Sequence, residues 1–442
     1  MNLNIENLRN SYTDGSLTVS EVIKSIKEKI KEYENYNIWI FTLSDEQLNS
    51  YIKNLQNKNI EDLPLYGIPF AIKDNIDLVD IPTTAGCKEY EYTPSKSAYV
   101  VDQLIKAGAI PIGKTNLDQF ATGLVGTRSP YGECKNSINS EYISGGSSSG
   151  SAVSVALDMV SFSLGTDTAG SGRVPAAFNN LIGLKASKGV ISTSGVVPAC
   201  RSLDCVTVFT KDLQSIENVF TCINSYDEED IYSRKKITNK IDIKENFTFA
   251  IPNESQLKFF GDDESKELFF KAVEKLKSLG GKVVQIDYEP FNESANLLYS
   301  GPWVTERYIA IKDTITKTPQ VVEPTVRKII SGGDKIDAVN YFQSEYTLKK
   351  NRKYADKIFN QFDFMLTPTT GTIYKIDEVN SDPIQLNTNL GYYTNYMNLL
   401  DLSAIALPAG FRKNGLPFGV TIVANTFEEE KLLSYSSLYL KD

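Results

Sequence analysis

The chain of 442 residues contains no histidine. Histidine is the usual general base near neutral pH and the commonest metal ligand. Its absence excludes Ser-His-Asp and Cys-His nucleophile arrangements, zinc sites that need imidazole, and haem held by a proximal histidine. A hydrolase built from this chain must take its base from a lysine, a carboxylate, or a water held by one of them. Cysteine is scarce as well. The five thiols (Cys87, Cys134, Cys200, Cys205, Cys222) are odd in number, widely spread and form no CxxC pair. They read as reduced structural cysteines, and no metal or other cofactor is expected. No apolar run approaches the roughly 20 residues of a membrane span. The N-terminus MNLNIENLRNSYTDG lacks an apolar signal core, so a cytoplasmic protein is expected. Positive charge is in deficit, with 46 Lys and Arg against 55 Asp and Glu and a net charge of −9. That balance argues against nucleic acid or an anionic membrane as the main partner.

What is present is the composition of a globular protein, 41% apolar and 23% charged. At this length two domains or one large α/β unit are expected. Thr18-Val19-Ser20-Glu21 is a capping box opening a helix through Val22, Ile23, Ile26 and Ile30. Residues 65–72 (LYGIPFAI) read as a buried strand leading to Lys73-Asp74-Asn75, 98–108 as a helix ended by Gly108, and AIPIG as a short strand. Residues 152–160 read as a helix and 160–167 as another strand. A helix–strand unit resumes at 257–285, and the last eighty residues read as buried strands and turns. This alternation predicts an α/β fold, a mixed central sheet covered by helices on both faces. No repeat and no long linker divides the chain, so 1–442 is expected to be one domain. The charge-dense stretch 226–245 is expected to be a surface connection or insertion.

Gly108-Ala-Ile-Pro-Ile-Gly113-Lys114-Thr115 matches the phosphate-loop pattern GxxxxGK[ST] but sits in the wrong context. A helix precedes it, its interior is apolar, and Pro111 has no N–H to offer a phosphate. A buried strand turning at Gly113 is the better reading. The serine-rich run Tyr142–Ser151 passes directly into an apolar helix, which argues against a flexible linker. Beyond the next strand comes Gly165-Thr-Asp167-Thr-Ala-Gly-Ser171-Gly-Arg173, with Pro175 placed for the first turn of a helix. Ser171 would therefore sit where a strand passes into a helix N-terminus, among small residues whose N–H groups could hold an oxyanion. Its base cannot be an imidazole. Lys73, at the end of an apolar strand, is the best candidate, because burial disfavours the ammonium.

Gly67-Ile-Pro-Phe-Ala-Ile-Lys73-Asp74, Gly145-Gly-Ser147-Ser-Ser-Gly150 and Gly165-Thr-Asp167-Thr-Ala-Gly-Ser171 together resemble the amidase signature family of serine hydrolases, over essentially the whole chain. The resemblance implies one α/β domain and a Ser–cis-Ser–Lys triad, with Ser171 as nucleophile, Ser147 as the bridging serine after a cis peptide, and Lys73 as base. It implies oxyanion-hole N–H groups from Thr168, Ala169, Gly170 and Ser171. Asp167 is expected to order the loop and Arg173 to be structural.

Within that family the chain is similar to the allophanate hydrolases, which cleave urea-1-carboxylate. The similarity lies in Ser171-Gly-Arg-Val-Pro-Ala-Ala-Phe, Gly195-Val-Val-Pro-Ala-Cys200-Arg201-Ser-Leu-Asp-Cys205, Leu298-Tyr299-Ser-Gly-Pro-Trp303-Val-Thr-Glu-Arg307-Tyr308, and the segment Leu390–Leu402. It implies a small anionic amide as substrate, recognised by Tyr299 and by Arg307 through its carboxylate, in a pocket shaped by the Gly123 and Gly126 backbone. Arginine is rare here, nine residues against 37 lysines. An arginine can therefore mark a place where the planar fork matters, as at a carboxylate. Trp303 and Tyr308 are expected to pack. Many members of this branch carry a further C-terminal domain implicated in decarboxylating the first product, and none is expected within 1–442. A homodimer is left open. Two other readings stand beside this one: the glutaminase component of a tRNA-dependent amidotransferase, and an amidase for another small carboxylate-bearing amide.

Overall fold

The computed structural model describes residues 1–235 and 245–441. Among these residues eleven strands form one sheet: β1 (Trp39–Thr42), β2 (Pro69–Lys73), β3 (Ile110–Thr115), β4 (Phe162–Asp167), β5 (Ile182–Lys185), β6 (Cys205–Thr210), β7 (Phe247–Pro252), β8 (Gly281–Ile286), β9 (Phe364–Pro368), β10 (Ser403–Phe411) and β11 (Pro417–Ala424). Their order is β1-β3-β2-β4-β6-β5-β10-β11-β9-β7-β8. The sheet is mixed as expected. β2 runs parallel to β3 and β4, and β7 runs parallel to β8 and β9. β4, β6, β5, β10, β11 and β9 alternate in direction. Every residue of β2, β3, β4, β5, β6, β9 and β11 is buried. Strands covered on both faces need continuous apolar runs rather than alternation, and that is how CVTVFT and FGVTIVA read. The helix Val19–Glu32 opens on the expected capping box and buries Val22, Ile23 and Ile26.

Two local expectations are corrected. The buried helix begins at Ser149 and ends at Ala156, so it starts inside the serine-rich run. Its serines bond neighbouring strands: Ser151 Oγ donates to Leu164 O at 2.8 Å, and Ser148 Oγ donates to Thr166 O at 3.1 Å. The strand after Gly108 does not turn at Gly113 but continues to Thr115. At Gly113 the β1 backbone approaches so closely that a Cβ would lie 2.3 Å from Phe41 O. The lysine of the false phosphate loop, Lys114, is fully buried in an ion pair with Asp74 at 3.0 Å. The described part of 226–245 runs along the surface, with Asp227 and Asp230 its buried anchors. Asp227 accepts from Ser192 Oγ at 2.6 Å and Asp230 from Thr193 N–H at 2.7 Å. Residues 236–244 of that stretch lie outside the described residues.

Candidate active site

β2 and β4 are parallel neighbours, with Ile72 opposite Leu164. Lys73 ends β2 and Asp167 ends β4. Both strands deliver their next residues to the same carboxyl edge of the sheet, where open α/β sheets place their ligands. The chain between β3 and β4 brings Ser147 to this edge just before the helix Ser149–Ala156. The peptide Gly146–Ser147 is cis.

Lys73 is fully buried. Burial pushes its ammonium down to about 7, with the carboxylates of Asp118, Asp204 and Asp167 pulling the other way and Arg307 adding to the fall. Its Nζ stands 2.7 Å from both Ser147 Oγ and Thr166 Oγ1. Asn75 Nδ2 lies 3.5 Å from the same threonine oxygen. A neutral Lys73 fixed in this way can take the Ser147 proton. Ser171 is also buried, and its Oγ donates to Gly123 O at 3.4 Å. Among the described residues no hydrogen bond joins Ser147 to Ser171, and a relay between them would need the Ser171 side chain to leave Gly123. Such links are often long before substrate binds.

Asp167 orders the loop. Its Oδ1 accepts from Gly170 N–H at 2.7 Å and its Oδ2 from Gly172 N–H at 3.1 Å. The Arg173 fork closes on both oxygens at 2.9 Å. Burial opposes ionisation of Asp167, and the Arg173 guanidinium nevertheless holds it below the usual carboxylate range. This corrects one member of the expected oxyanion set, because the Gly170 N–H is already spent on Asp167. The N–H groups of Thr168, Ala169 and Ser171 make no hydrogen bond among the described residues and remain available.

Several residues that organise the site escaped the sequence reading. Asp118 is fully buried. Its Oδ2 accepts from the Val125 and Gly126 N–H groups at 3.1 Å, its Oδ1 from Arg128 N–H at 3.0 Å, and its own N–H donates to Ser147 O at 3.1 Å. It thereby ties the Gly123–Gly126 loop to Ser147. Glycine is required beside it: a Cβ on Gly123 or Gly146 would lie within 2.4 Å of Asp118 Oδ2. Asp204 accepts from the Thr168 hydroxyl and, at 2.8 Å, from the Ala199 N–H. Asp118 lies in no motif, while Thr166, Asp204 and Asn75 lie inside or beside quoted motifs that gave them no role.

Tyr299 and Arg307 come together. Arg307 lies 2% exposed, with its guanidinium carbon 5.2 Å from the Tyr299 ring centre. Nη1 donates to Thr122 Oγ1 at 2.9 Å and Nη2 to Tyr299 Oη at 3.4 Å, while Nε is buried with no partner among the described residues. Thr122 adjoins Gly123, so the guanidinium and the Ser171 hydroxyl engage adjacent residues of one loop. A cavity of about 340 Å³ opens beside Tyr299, lined also by Arg128, Asn387 and Asn395. Trp303 packs in a buried cluster and Tyr308 against another.

A buried lysine bonded to a cis-peptide serine, with a second serine on a loop that keeps three N–H groups unpaired among the described residues, is an arrangement suited to a hydrolase without imidazole. The chain belongs to the amidase family, whose model matches residues 21–433, and is by that membership an amidohydrolase. It is 46% identical over 411 residues to the urea amidolyase of Saccharomyces cerevisiae. That match covers 92% of this chain and 22% of the relative, so the chain spans about a fifth of that protein. The structure of Kluyveromyces lactis allophanate hydrolase superposes with a TM-score of 0.94 at 44% identity, over 99% of this chain and 72% of the other. A glutamyl-tRNA(Gln) amidotransferase chain of Thermoanaerobacter pseudethanolicus is 32% identical over 98% of this chain and 94% of its own. Among the described residues no helix is long and apolar enough to cross a membrane.

Proposed function

We propose that this chain hydrolyses the terminal amide of allophanate (urea-1-carboxylate), releasing ammonia through an acyl-enzyme on Ser171. The observation that carries this reading is Arg307. It is a buried guanidinium with an unpartnered Nε, set beside Tyr299 and anchored next to the carbonyl that receives the Ser171 hydroxyl. A buried cation with no carboxylate hydrogen-bonded to it among the described residues calls for an anion. A planar carboxylate suits its fork.

Neutral Lys73 takes the Ser147 proton as Ser147 takes the Ser171 proton, and Ser171 Oγ attacks the terminal carbonyl. The N–H groups of Thr168, Ala169 and Ser171 receive the oxyanion. The relay then protonates the nitrogen, ammonia leaves, and water reverses the steps. The acid released, a dicarboxylated amine, goes on to lose CO2. The five unpaired thiols fit a reducing, cytoplasmic compartment.

Ammonia release measured in parallel on allophanate, malonamate, glutamine and biuret tests this reading. Allophanate is expected to give the highest kcat/KM. Preference for glutamine would instead support an amidotransferase glutaminase, the reading that the similarity to the Thermoanaerobacter protein favours. Arg307→Ala is expected to raise KM for allophanate on the order of 100-fold, the cost of truncating one partner of a buried charged pair. A neutral amide such as propionamide should lose far less. Equal losses on both would make Arg307 a strut for Thr122 and nothing more.

A homodimer belongs to the same reading. On the helix Ala338–Gln361, Val339, Phe342 and Tyr346 stand 63%, 54% and 68% exposed at i, i+3 and i+7, one apolar stripe left uncovered by the described residues. Two copies about a twofold axis would bury it mutually. Sedimentation should return twice the chain mass, and Phe342→Glu should leave a monomer. A monomeric wild-type chain would remove this assignment.

A further inference from the structure

Allophanate brings three N–H donors, two on its terminal amide and one on the nitrogen between its carbonyls. Apart from the Gly123 carbonyl, the site described so far offers donors: backbone N–H groups, the Arg307 guanidinium and a tyrosine hydroxyl. A donor buried without an acceptor costs about 1–3 kcal/mol, so a site selective for this substrate must supply oxygen atoms.

Two such atoms lie on consecutive residues. Thr394 Oγ1 and Asn395 Oδ1 are buried and make no hydrogen bond among the described residues. Thr394 is fully buried, and its side chain lies over Gly170 in the oxyanion loop, where a Cβ would be 2.4 Å from Oγ1. Asn395 lines the cavity beside Tyr299. The turn that carries them is pinned. The N–H groups of both residues donate to Gly391 O at 3.1 and 3.0 Å. Thr394 O accepts from Arg173 Nη2 at 3.2 Å, and Arg173 is locked to Asp167. A buried oxygen held without a partner by a rigid turn is an acceptor prepared for a ligand.

We infer that Thr394 and Asn395 form an acceptor pair that reads the ureido N–H groups of the substrate, the central one foremost. The pair extends from the oxyanion loop, where the reacting carbonyl sits, to the Tyr299 end, where the carboxylate is held. The central nitrogen lies between those two points. This assignment rests on the allophanate reading and adds to it the means of telling a ureido acid from its carbon analogue.

Malonamate is the discriminating probe, since it keeps the carboxylate and terminal amide and replaces the central N–H by CH2. Thr394→Val removes the oxygen at nearly constant shape, and Asn395→Leu does the same at the neighbouring position. Each is expected to lower kcat/KM for allophanate by about 10- to 100-fold, a loss at least tenfold greater than on malonamate. Thr394→Ser, which keeps the hydroxyl, should recover allophanate turnover to within about threefold. Equal losses on the two substrates, or none on allophanate, would overturn the acceptor pair and leave the allophanate reading intact. A wild-type enzyme that turns over malonamate or glutamine but not allophanate would overturn both.

Discussion

Ser171→Ala is expected to lower kcat for ammonia release by about 10⁵-fold or more, the scale seen when the nucleophile of a serine hydrolase relay is removed. The loss should fall on kcat rather than on substrate binding. The Ser171 Oγ makes one long hydrogen bond, to Gly123 O at 3.4 Å, and the loop around it is held by Asp167 and Arg173 without that oxygen. The variant should therefore fold normally and still bind malonate, a dicarboxylate that the Arg307 end can hold, with a Kd close to that of the wild type. Mass spectrometry of the quenched wild-type reaction should find the acyl group on the peptide carrying Ser171. Turnover by the alanine variant above about one per cent of wild type would place the nucleophile elsewhere, with Ser147 the next candidate. Ser147→Ala should also be strongly impaired, because it removes the hydroxyl through which Lys73 acts at 2.7 Å.

Lys73, Ser147 and Ser171 were legible because each sits inside a short run whose local chemistry is unusual: a lysine closing an apolar strand, a glycine- and serine-rich entry to a helix, a serine between a strand end and Pro175. The sheet was legible for a related reason. Strands buried on both faces are continuous apolar runs, and β2, β4 and β11 carry them undisguised. What escaped depends on long-range packing. Asp118 supports Ser147 only because β3 runs beside β2, and Thr166 reaches Lys73 only because β4 lies on the other flank. Asp118 belongs to no motif, and the motif that holds Thr166 does not reveal a partner on another strand. The helix boundary was missed for another reason. Apolar periodicity cannot register a first turn made of Ser149, Gly150 and Ser151, whose burial is satisfied by hydroxyl bonds to strand backbone rather than by apolar contact. The oxyanion set was one donor too large because a motif gives residue order and not direction: Gly170 is in the right place with its N–H turned to Asp167.

Lys73→Met is expected to abolish turnover, by about 10⁴-fold or more, while raising stability near neutral pH. The first effect follows from the base being a neutral lysine. With its ammonium pushed down to about 7, kcat/KM should rise with pH through that value and level off above it. A flat profile from pH 6 to 9 would remove Lys73 as the base. The second effect follows from linkage. An unfolded lysine keeps its proton to about 10.4. Between about 7 and that value the native state thus binds fewer protons than the unfolded state, and stability rises with pH across the window. Below about 7 the full cost of the buried lysine is present, and by pH 10 most of it is gone. Methionine carries no such cost, although it leaves the Ser147 and Thr166 hydroxyls short of a partner at about 1–3 kcal/mol each. The Tm of the variant should therefore lie at or above that of the wild type at pH 7, and the difference should shrink or reverse by pH 10. A variant less stable than the wild type at pH 7 by the same margin as at pH 10 would mean that Lys73 is charged in the folded protein. A charged Lys73 has no lone pair to accept the Ser147 proton, so the scan tests the base assignment without any substrate present.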